Sequence, residues 1–507
     1  MQRYPIGIQD FRKLREGNYL YIDKTKDIFR LTQNVYYFLS RPRRFGKSLL
    51  ISTLAELYKG SKALFEGLWI ADQWDWTKSH PVIEILFNNA SYKVDGLENY
   101  LKQRLHEQAS LYSIALEDKA YPDQFKELIL QLSEQVGKVV ILIDEYDKPI
   151  IDYLDDIPKA IANREILKSF YSVLKPLDAH LEFVFLTGVS KFSRVSIFSE
   201  LNNLLDLTLN PKFSTLVGYT QEELEHYFAQ ELEAMAENYA SKEALLAKIQ
   251  EWYNGYSWNG KDRVYNPFSI LNFFHGEVFQ NFWFETGTPT FLVKQLNKNR
   301  TYQLEQIQVG QAAFSSFDIE RIDPNALLFQ TGYITIQSVD EYGIYTLGYP
   351  NKEVRDSLLQ YLLADYSHEY ASNMPIKAVQ MKKALDSVQI EGFVDALNSL
   401  FASIPYQLFI KDKEAYYHSV TFLALSLVGV YVQVEPSLAK GRPDAVVHTE
   451  NAIYVIEFKL DESAAKAIEQ IHIKGYAASY QNRSKTVRLL GLNLNSEQKA
   501  IDEWIME

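Results

Sequence analysis

The stretch GRPDAVVHTENAIYVIEFK, residues 441–459, gathers three residues able to do chemistry together: Asp444, Glu457 and Lys459. The apolar runs 444–448 and 452–458 are rich in Val and Ile and are parted by the polar tetrad HTEN, a pattern that predicts two short strands. With Glu450-Asn451 as a two-residue turn, Thr449 faces Ala452, and the same register sets Asp444 opposite Glu457. Lys459, two residues on, points to the same face. Two carboxylates and a lysine then converge at one end of a hairpin. Such a set suits a divalent cation with oxygen ligands and a water placed beside it for hydrolysis. Glu457 also interrupts an apolar run, where a charge is costly without a partner or a metal. An edge hairpin with protective charges would use the same residues.

A second constellation lies near the start. RPRRFGKS, residues 41–48, follows the apolar run YYFLS and opens the helical pattern SLLISTLAELYKG, the setting in which a phosphate-binding loop works. Backbone N–H groups and the helix N-terminus bind phosphate oxygens there. Lys47 would reach the β- and γ-phosphates of ATP, and Ser48 would ligate Mg2+. Arg41 stands where the usual pattern has its first Gly, so the loop read as the nucleotide contact comprises Arg41, Arg43, Arg44, Phe45, Gly46, Lys47 and Ser48. VVILIDE ends in Asp144, suited to holding Mg2+, and Glu145, placed to polarise an attacking water. In LTGVSKFSRVSIFS, residues 186–199, Thr187 or Ser190 would sense the γ-phosphate, and Lys191 or Arg194 would offset charge in phosphoryl transfer. A solvated basic loop would read the same way.

Composition sets bounds. A chain of 507 residues is long enough for two to four domains with substantial cores. The absence of Cys excludes disulfides and thiolate-zinc sites. Nine scattered His show no paired metal-ligand spacing, which argues against a zinc hydrolase. The net charge of −13 excludes a global basic field, so binding to phosphate backbones needs local basic patches or metal ions. No apolar run is long enough to span a bilayer, and MQRYPIGIQDF lacks the apolar centre of a secretory signal, so a cytoplasmic location and no membrane partner are expected.

The elements that must position these groups follow from periodicity. Strands are expected at 36–40, 81–88, 138–145 and 181–190, separated by helices, which implies an α/β fold with a parallel sheet covered on both faces. Residues 216–345 are richer in helical pattern, with turns rich in Tyr, Asn and Gly. The polar break ASNMPIKAVQ, 371–380, is read as the linker to the last domain. There, 411–432 reads as an amphipathic helix leading into a strand, the hairpin follows, then a helix over DESAAKAIEQIHIKGYAASY and a strand at 485–494.

The motifs YPIGIQDF, YIDKT, RPRRFGKSL, LIDEYDKPI, TGVSKFS, WYNGYSW, VYNPFSIL and LGYPNKEVRDSL together resemble the bacterial AAA-ATPase-like family. Pro443-Asp444 with Glu457-Phe458-Lys459 resembles the PD-(D/E)xK nuclease core that members of that family commonly carry. The resemblance implies a P-loop AAA+-like or STAND-like parallel-sheet domain over 1–215 and a helical lid over 216–372 that can carry a winged-helix element. It also implies a restriction-endonuclease-like α/β domain over 373–507. It places Tyr21, Asp23 and Lys24 near the nucleotide, although the same residues would equally pack and cap the N-terminal segment. Tyr253, Asn254, Gly255 and Tyr256 read as structural, since Asn-Gly is a turn signal and aromatics fill cores.

In nuclease folds of this type a helix before the hairpin contributes an acid to the metal site, and Glu414 is the candidate. His418 shares its face and is read as a packed residue. The resemblance also offers Gln470 and Tyr476 as flanking site residues, against a solvated helix face and a core aromatic. The expected chemistry is phosphodiester hydrolysis with Mg2+ or Mn2+ on Asp444, Glu457 and the Phe458 carbonyl, and with Lys459 placing water. Three readings stand: an ATP-regulated nuclease acting on DNA, or with less support RNA; a nucleotide-gated binding protein that does not cut; and an ATP-driven motor. Oligomeric state is open, because AAA+ cores form rings and STAND-like switches include monomers.

Overall fold

Five short runs of mostly buried β-formers build the N-terminal sheet: β1 (Tyr36–Ser40), β2 (Val82–Leu86), β3 (Val139–Asp144), β4 (Leu181–Gly188) and β5 (Leu205–Asp206). Their order is β2-β3-β4-β1-β5 and every pairing is parallel. Parallel strands buried on both faces need continuous apolar runs, and VVILID and LEFVFLTG are such runs. The structure is a computed structural model that describes residues 3–88, 91–191, 203–283, 296, 304–314, 323–367, 370–402, 413–429, 433–436, 443–480 and 485–507.

The chain divides into two compact units, one of Met1–Phe291 with Leu304–Val354 and one of Leu292–Gln303 with Arg355–Glu507. In the first, helices follow the parallel sheet. Gln221–Tyr227 starts with a reciprocal Thr220–Glu223 capping box, and Pro267–Gly276 is capped by Asn266. Their apolar faces join a cluster that includes Phe228, Leu232, Tyr253, Phe273 and Phe274. A small antiparallel sheet then forms from β6 (Ile307–Val309), β7 (Thr335–Val339) and β8 (Tyr345–Gly348), in the order β6-β8-β7.

The second unit holds a mixed sheet of β9 (Gln433–Pro436), β10 (Ala445–His448), β11 (Ala452–Leu460), β12 (Thr486–Asn495) and β13 (Ala500–Met506), ordered β13-β12-β11-β10-β9. The β11–β12 pair is parallel and is joined by helix Ala464–Lys474, a βαβ unit set into otherwise antiparallel neighbours. The stretch read as a polar linker is instead a tight turn, Ala371–Asn373, running into helix Met374–Asp386. Met374, Ala378 and Met381 recur at helical spacing and are buried, so the apolar period outweighs the polar average of that stretch. No helix among the described residues is long and apolar enough to cross a membrane.

Gly255 of the WYNGYSW motif shows why its turn needs glycine. Its φ is 122°, and an added Cβ would stand 2.0 Å from the Pro350 carbonyl oxygen. Gly255→Ala is expected to destabilise the first unit by roughly 2 kcal/mol or more, from strain plus the clash. Thermal unfolding of the purified variant checks this; a midpoint equal to the parent's would contradict it.

Candidate functional site

The end of β1 and the start of helix Lys47–Tyr58 are joined by a loop in which Gly46 takes φ 89°. That left-handed conformation costs a side chain energy and costs glycine little. Lys47 is buried, and its Nζ donates to the carbonyl oxygens of Arg41 and Pro42, both at 2.9 Å. Burial lowers its pKa, against the pull of Asp144 and Glu145. Asp144, at the tip of β3, ties three elements together. Its Oδ2 accepts from Ser48 Oγ at 2.5 Å, and its Oδ1 accepts from Thr187 Oγ1 at 2.6 Å and from the Glu145 N–H at 3.0 Å. Glu145 has φ 53°, and burial followed by the charge of Asp144 raises its carboxyl pKa.

Of these groups Gly46, Lys47, Ser48 and Glu145 line a cleft of about 590 Å³, whereas Asp144 and Thr187 do not, and Asp144 meets it through its bond to Ser48. Arg43, Arg44, Gly46, Lys47, Ser48 and Glu145 line one side of it, with Pro5, Gly7, Ile8 and Gln9 of the N-terminal segment and Tyr219, Phe268 and Leu271 on others. Arg41 and Phe45, read from the sequence as part of the phosphate contact, point elsewhere. The Arg41 guanidinium is 1 % exposed, donates to the carbonyls of Ser40, Thr208 and Phe213, and lies 3.9 Å from the centre of the Trp258 ring. Phe45 is buried against Tyr256 and Trp258. Among the sensing candidates, Ser190 bonds Asp147, while Lys191 pairs with Asp206 and its N–H donates to Gln330 at 3.0 Å. Arg194 lies outside the described residues.

Tyr21, Asp23 and Lys24 do not line the cleft. Tyr21 is buried; Asp23 accepts from the N–H groups of Thr25 and Trp69; Lys24 pairs with Glu223 at 2.6 Å. Sequence reasoning missed Asp147. It is 1 % exposed, lines the cleft, and accepts from the Val189 N–H at 3.0 Å and from the Ser190 N–H and hydroxyl at 2.6 Å each. The signal was present in LIDEYDKPI, three residues beyond Asp144.

In the second unit the hairpin has the register read from its sequence. Ala445 pairs with Ile456, and the Thr449 N–H donates to the Ala452 carbonyl at 2.8 Å, so Asp444 and Glu457 stand side by side. The Asp444 N–H donates to Glu457 Oε2 at 3.3 Å, and Asp444 Oδ2 accepts from the Phe458 N–H at 2.8 Å. Gln470, on the face of helix Ala464–Lys474 that meets the sheet, bridges the remaining two. Its Oε1 accepts from Lys459 Nζ at 2.6 Å, and its Nε2 donates to Glu457 Oε1. Lys459 Nζ itself lies 3.6 Å from that oxygen. Glu457 is 3 % exposed, and burial together with the charge of Asp444 pushes its pKa up to about 7.

The structure therefore brings Asp444, Glu457, Lys459 and Gln470 into one cluster. Tyr476 is buried against Val455, Ile468 and Ile471 and belongs to the core. Glu414 and His418 fall in helix Lys413–Val428, with side chains outside the described residues. Among the described residues no group of three or more Asp, Glu, His or Cys is arranged to hold a metal. The carboxylate pair nevertheless fits one: two acidic groups held together in a buried place, with one lysine nearby, leave negative charge to offset.

Residues 5–198 match a family model described as Predicted AAA-ATPase, and residues 412–504 match one described as PD-(D/E)XK nuclease superfamily. A protein of Azotobacter chroococcum mcd 1, described as "Uncharacterized protein in vnfD 5'region", is 40% identical over 521 residues, covering 100% of this chain and 99% of its own. No solved structure matches. The two matched regions suggest ATPase and nuclease activity. The chain belongs to the AAA-ATPase-like family, with a PD-(D/E)XK nuclease superfamily domain at its C-terminus.

Proposed function

We propose that this protein is a cytoplasmic, ATP-hydrolysing nuclease that cleaves phosphodiester bonds of DNA in the presence of Mg2+ or Mn2+, under the control of its nucleotide state. The observation that carries the reading is the cluster of Asp444, Glu457, Lys459 and Gln470 in a chain that also sets Lys47, Ser48 and Glu145 around one cleft, with Asp144 bonded to Ser48. In the cleft, Lys47 and the N–H groups opening helix Lys47–Tyr58 bind phosphate, Arg43 and Arg44 add positive charge, and Ser48 with Asp144 would hold Mg2+. Glu145 orients and polarises the attacking water. Its raised pKa suits a group that takes up a proton.

In the nuclease unit, Asp444, Glu457 and the Phe458 carbonyl would hold the divalent ion, with Glu414 as a further ligand. When bound, the ion supplies polarisation of the phosphoryl oxygen and a water of lowered pKa. Lys459 positions that water and offsets the charge that develops on phosphate. Gln470 bonds both Lys459 and Glu457 and holds the pair in place.

Asp444→Ala is expected to lower cleavage by at least two orders of magnitude with the fold retained, on labelled DNA and RNA with Mg2+ or Mn2+ and with or without ATP. Cutting at the parental rate would refute the site. Binding without cleavage by the parent in every condition would favour a nucleotide-gated binding protein, and cleavage of RNA alone would move the substrate. Lys47→Ala is expected to lose ATP turnover and the dependence of cutting on nucleotide together; turnover at the parental rate would refute Lys47 as the phosphate ligand.

The Glu457 carboxyl provides a pH test. Its folded pKa of about 7 lies above the ordinary 4.5, so between these values the folded chain holds a proton that the unfolded chain has released. In metal-free protein this contribution to stability is present below the lower value and is lost as pH rises through the upper one. Metal binding needs the carboxylate, so Mg2+ affinity should fall about tenfold per unit below pH 7 and level off above it. Titration calorimetry from pH 5.5 to 8 measures this, and Glu457→Gln should abolish the dependence. A flat profile in the parent would contradict the assignment.

A further inference from the structure

The phosphate loop is held from behind as well as presented to the cleft. On the side away from the cleft, the Arg41 guanidinium lies 3.9 Å from the centre of the Trp258 ring, and Phe45 meets Tyr256 edge-on at 4.7 Å. Trp283 Nε1 donates to the Arg43 carbonyl at 3.1 Å. Gly332, at φ 90°, sits so close to Pro42 that an added Cβ would stand 2.7 Å from the Pro42 Cβ. Each position from 41 to 43 is therefore seated against a residue from the region after the parallel sheet. The same two residues, Arg41 and Pro42, carry the carbonyls that hold Lys47 Nζ.

We infer that Trp258, Trp283 and Gly332, which lie outside the cleft, are positioning residues for the phosphate loop and couple nucleotide occupancy to the region that carries them. The inference rests on the reading of Arg43–Ser48 as a phosphate site and names the joint through which nucleotide control starts. Phosphate that draws Lys47 away from the Arg41 and Pro42 carbonyls changes the forces on residues whose opposite sides are already packed. Those sides cannot give independently, because close-packed groups transmit displacement. Arg41 at the first-glycine position then has a reason: a buried cation stacked on an indole and bonded to three carbonyls fixes the loop entry as glycine cannot. The path continues inward, since the Ser257 N–H donates to Thr335 Oγ1 at 2.7 Å, at the start of β7.

The test uses the full chain, ATP with Mg2+, titration calorimetry and intrinsic tryptophan fluorescence. Gly332→Ala is expected to weaken ATP binding at least tenfold. Gly343→Ala, which carries a similar left-handed strain at φ 75° but meets nothing within 4 Å, is the control expected to stay within twofold. Trp283→Phe keeps an aromatic ring and removes the N–H, and is expected to weaken ATP at least threefold with the thermal midpoint near the parent's. Saturating ATP should change the parent's fluorescence, and Trp283→Phe should lose at least half of that change. Parental ATP affinity and an unaltered fluorescence response in Trp283→Phe would overturn the inference, and this variant decides the matter if Gly332→Ala fails to fold. Failure of the parent itself to bind ATP would instead overturn the phosphate-site reading, and this inference with it.

Discussion

Asp144 is the constraint on which the nucleotide half depends. A carboxylate buried at a strand tip must have its oxygens satisfied or give up its charge. Here one oxygen takes Ser48 from the helix after β1, and the other takes Thr187 from β4 and the N–H of Glu145. The strand order makes this feasible, because β4 lies between β1 and β3 and brings Thr187 alongside. Asp147 repeats the device one turn on, with the N–H groups of Val189 and Ser190. Two acids of β3 and its following turn thereby fix the tip of β4, and the cleft inherits its shape from that anchoring.

The nuclease half depends on register. A two-residue turn fixes which residues face each other, and a slip by one would send Asp444 and Glu457 to opposite faces. The Thr449 and Ala452 bonds close that turn, and β12, parallel to β11 and registered along its whole length, locks it from the other side. Helix Ala464–Lys474 then has little freedom in where it presents Gln470, because Ile468 and Ile471 of the same helix pack into the core with Val455. The glycine at 491 permits this approach; a Cβ there would stand 2.6 Å from the Ala464 carbonyl oxygen.

What was legible in the sequence was what local pattern controls. The runs YYFLS and VVILID read as strands because buried parallel strands are continuous in apolar residues, and the hairpin register follows from counting outward from its turn. The fate of Arg41 was not legible. A loop position that usually carries glycine suggests contact with ligand, whereas the destination of its side chain is decided by Trp258, more than two hundred residues away. Asp147 was hidden similarly: its partners are the Val189 N–H and the N–H and hydroxyl of Ser190, more than forty residues on, which local pattern does not link to it. Strand β13 was missed because AIDEWIM lacks an apolar run, and its place is set by pairing with β12. The polar stretch 371–380 misled because composition averages over a helix that buries only one side.

Gln470 carries a consequence beyond geometry. Lys459 Nζ lies 3.6 Å from Glu457 Oε1, an ion-pair distance, so the two charges already act on each other. An amide in between is dipolar and cannot titrate in the physiological range, so it satisfies the hydrogen bonds of both neighbours without exchanging a proton with either. The amide therefore steadies the ion pair at the oxygen it shares with the lysine and adds no charge of its own. The side chain works as a brace, setting where the carboxylate and the ammonium stand without adding to or subtracting from the charge they hold.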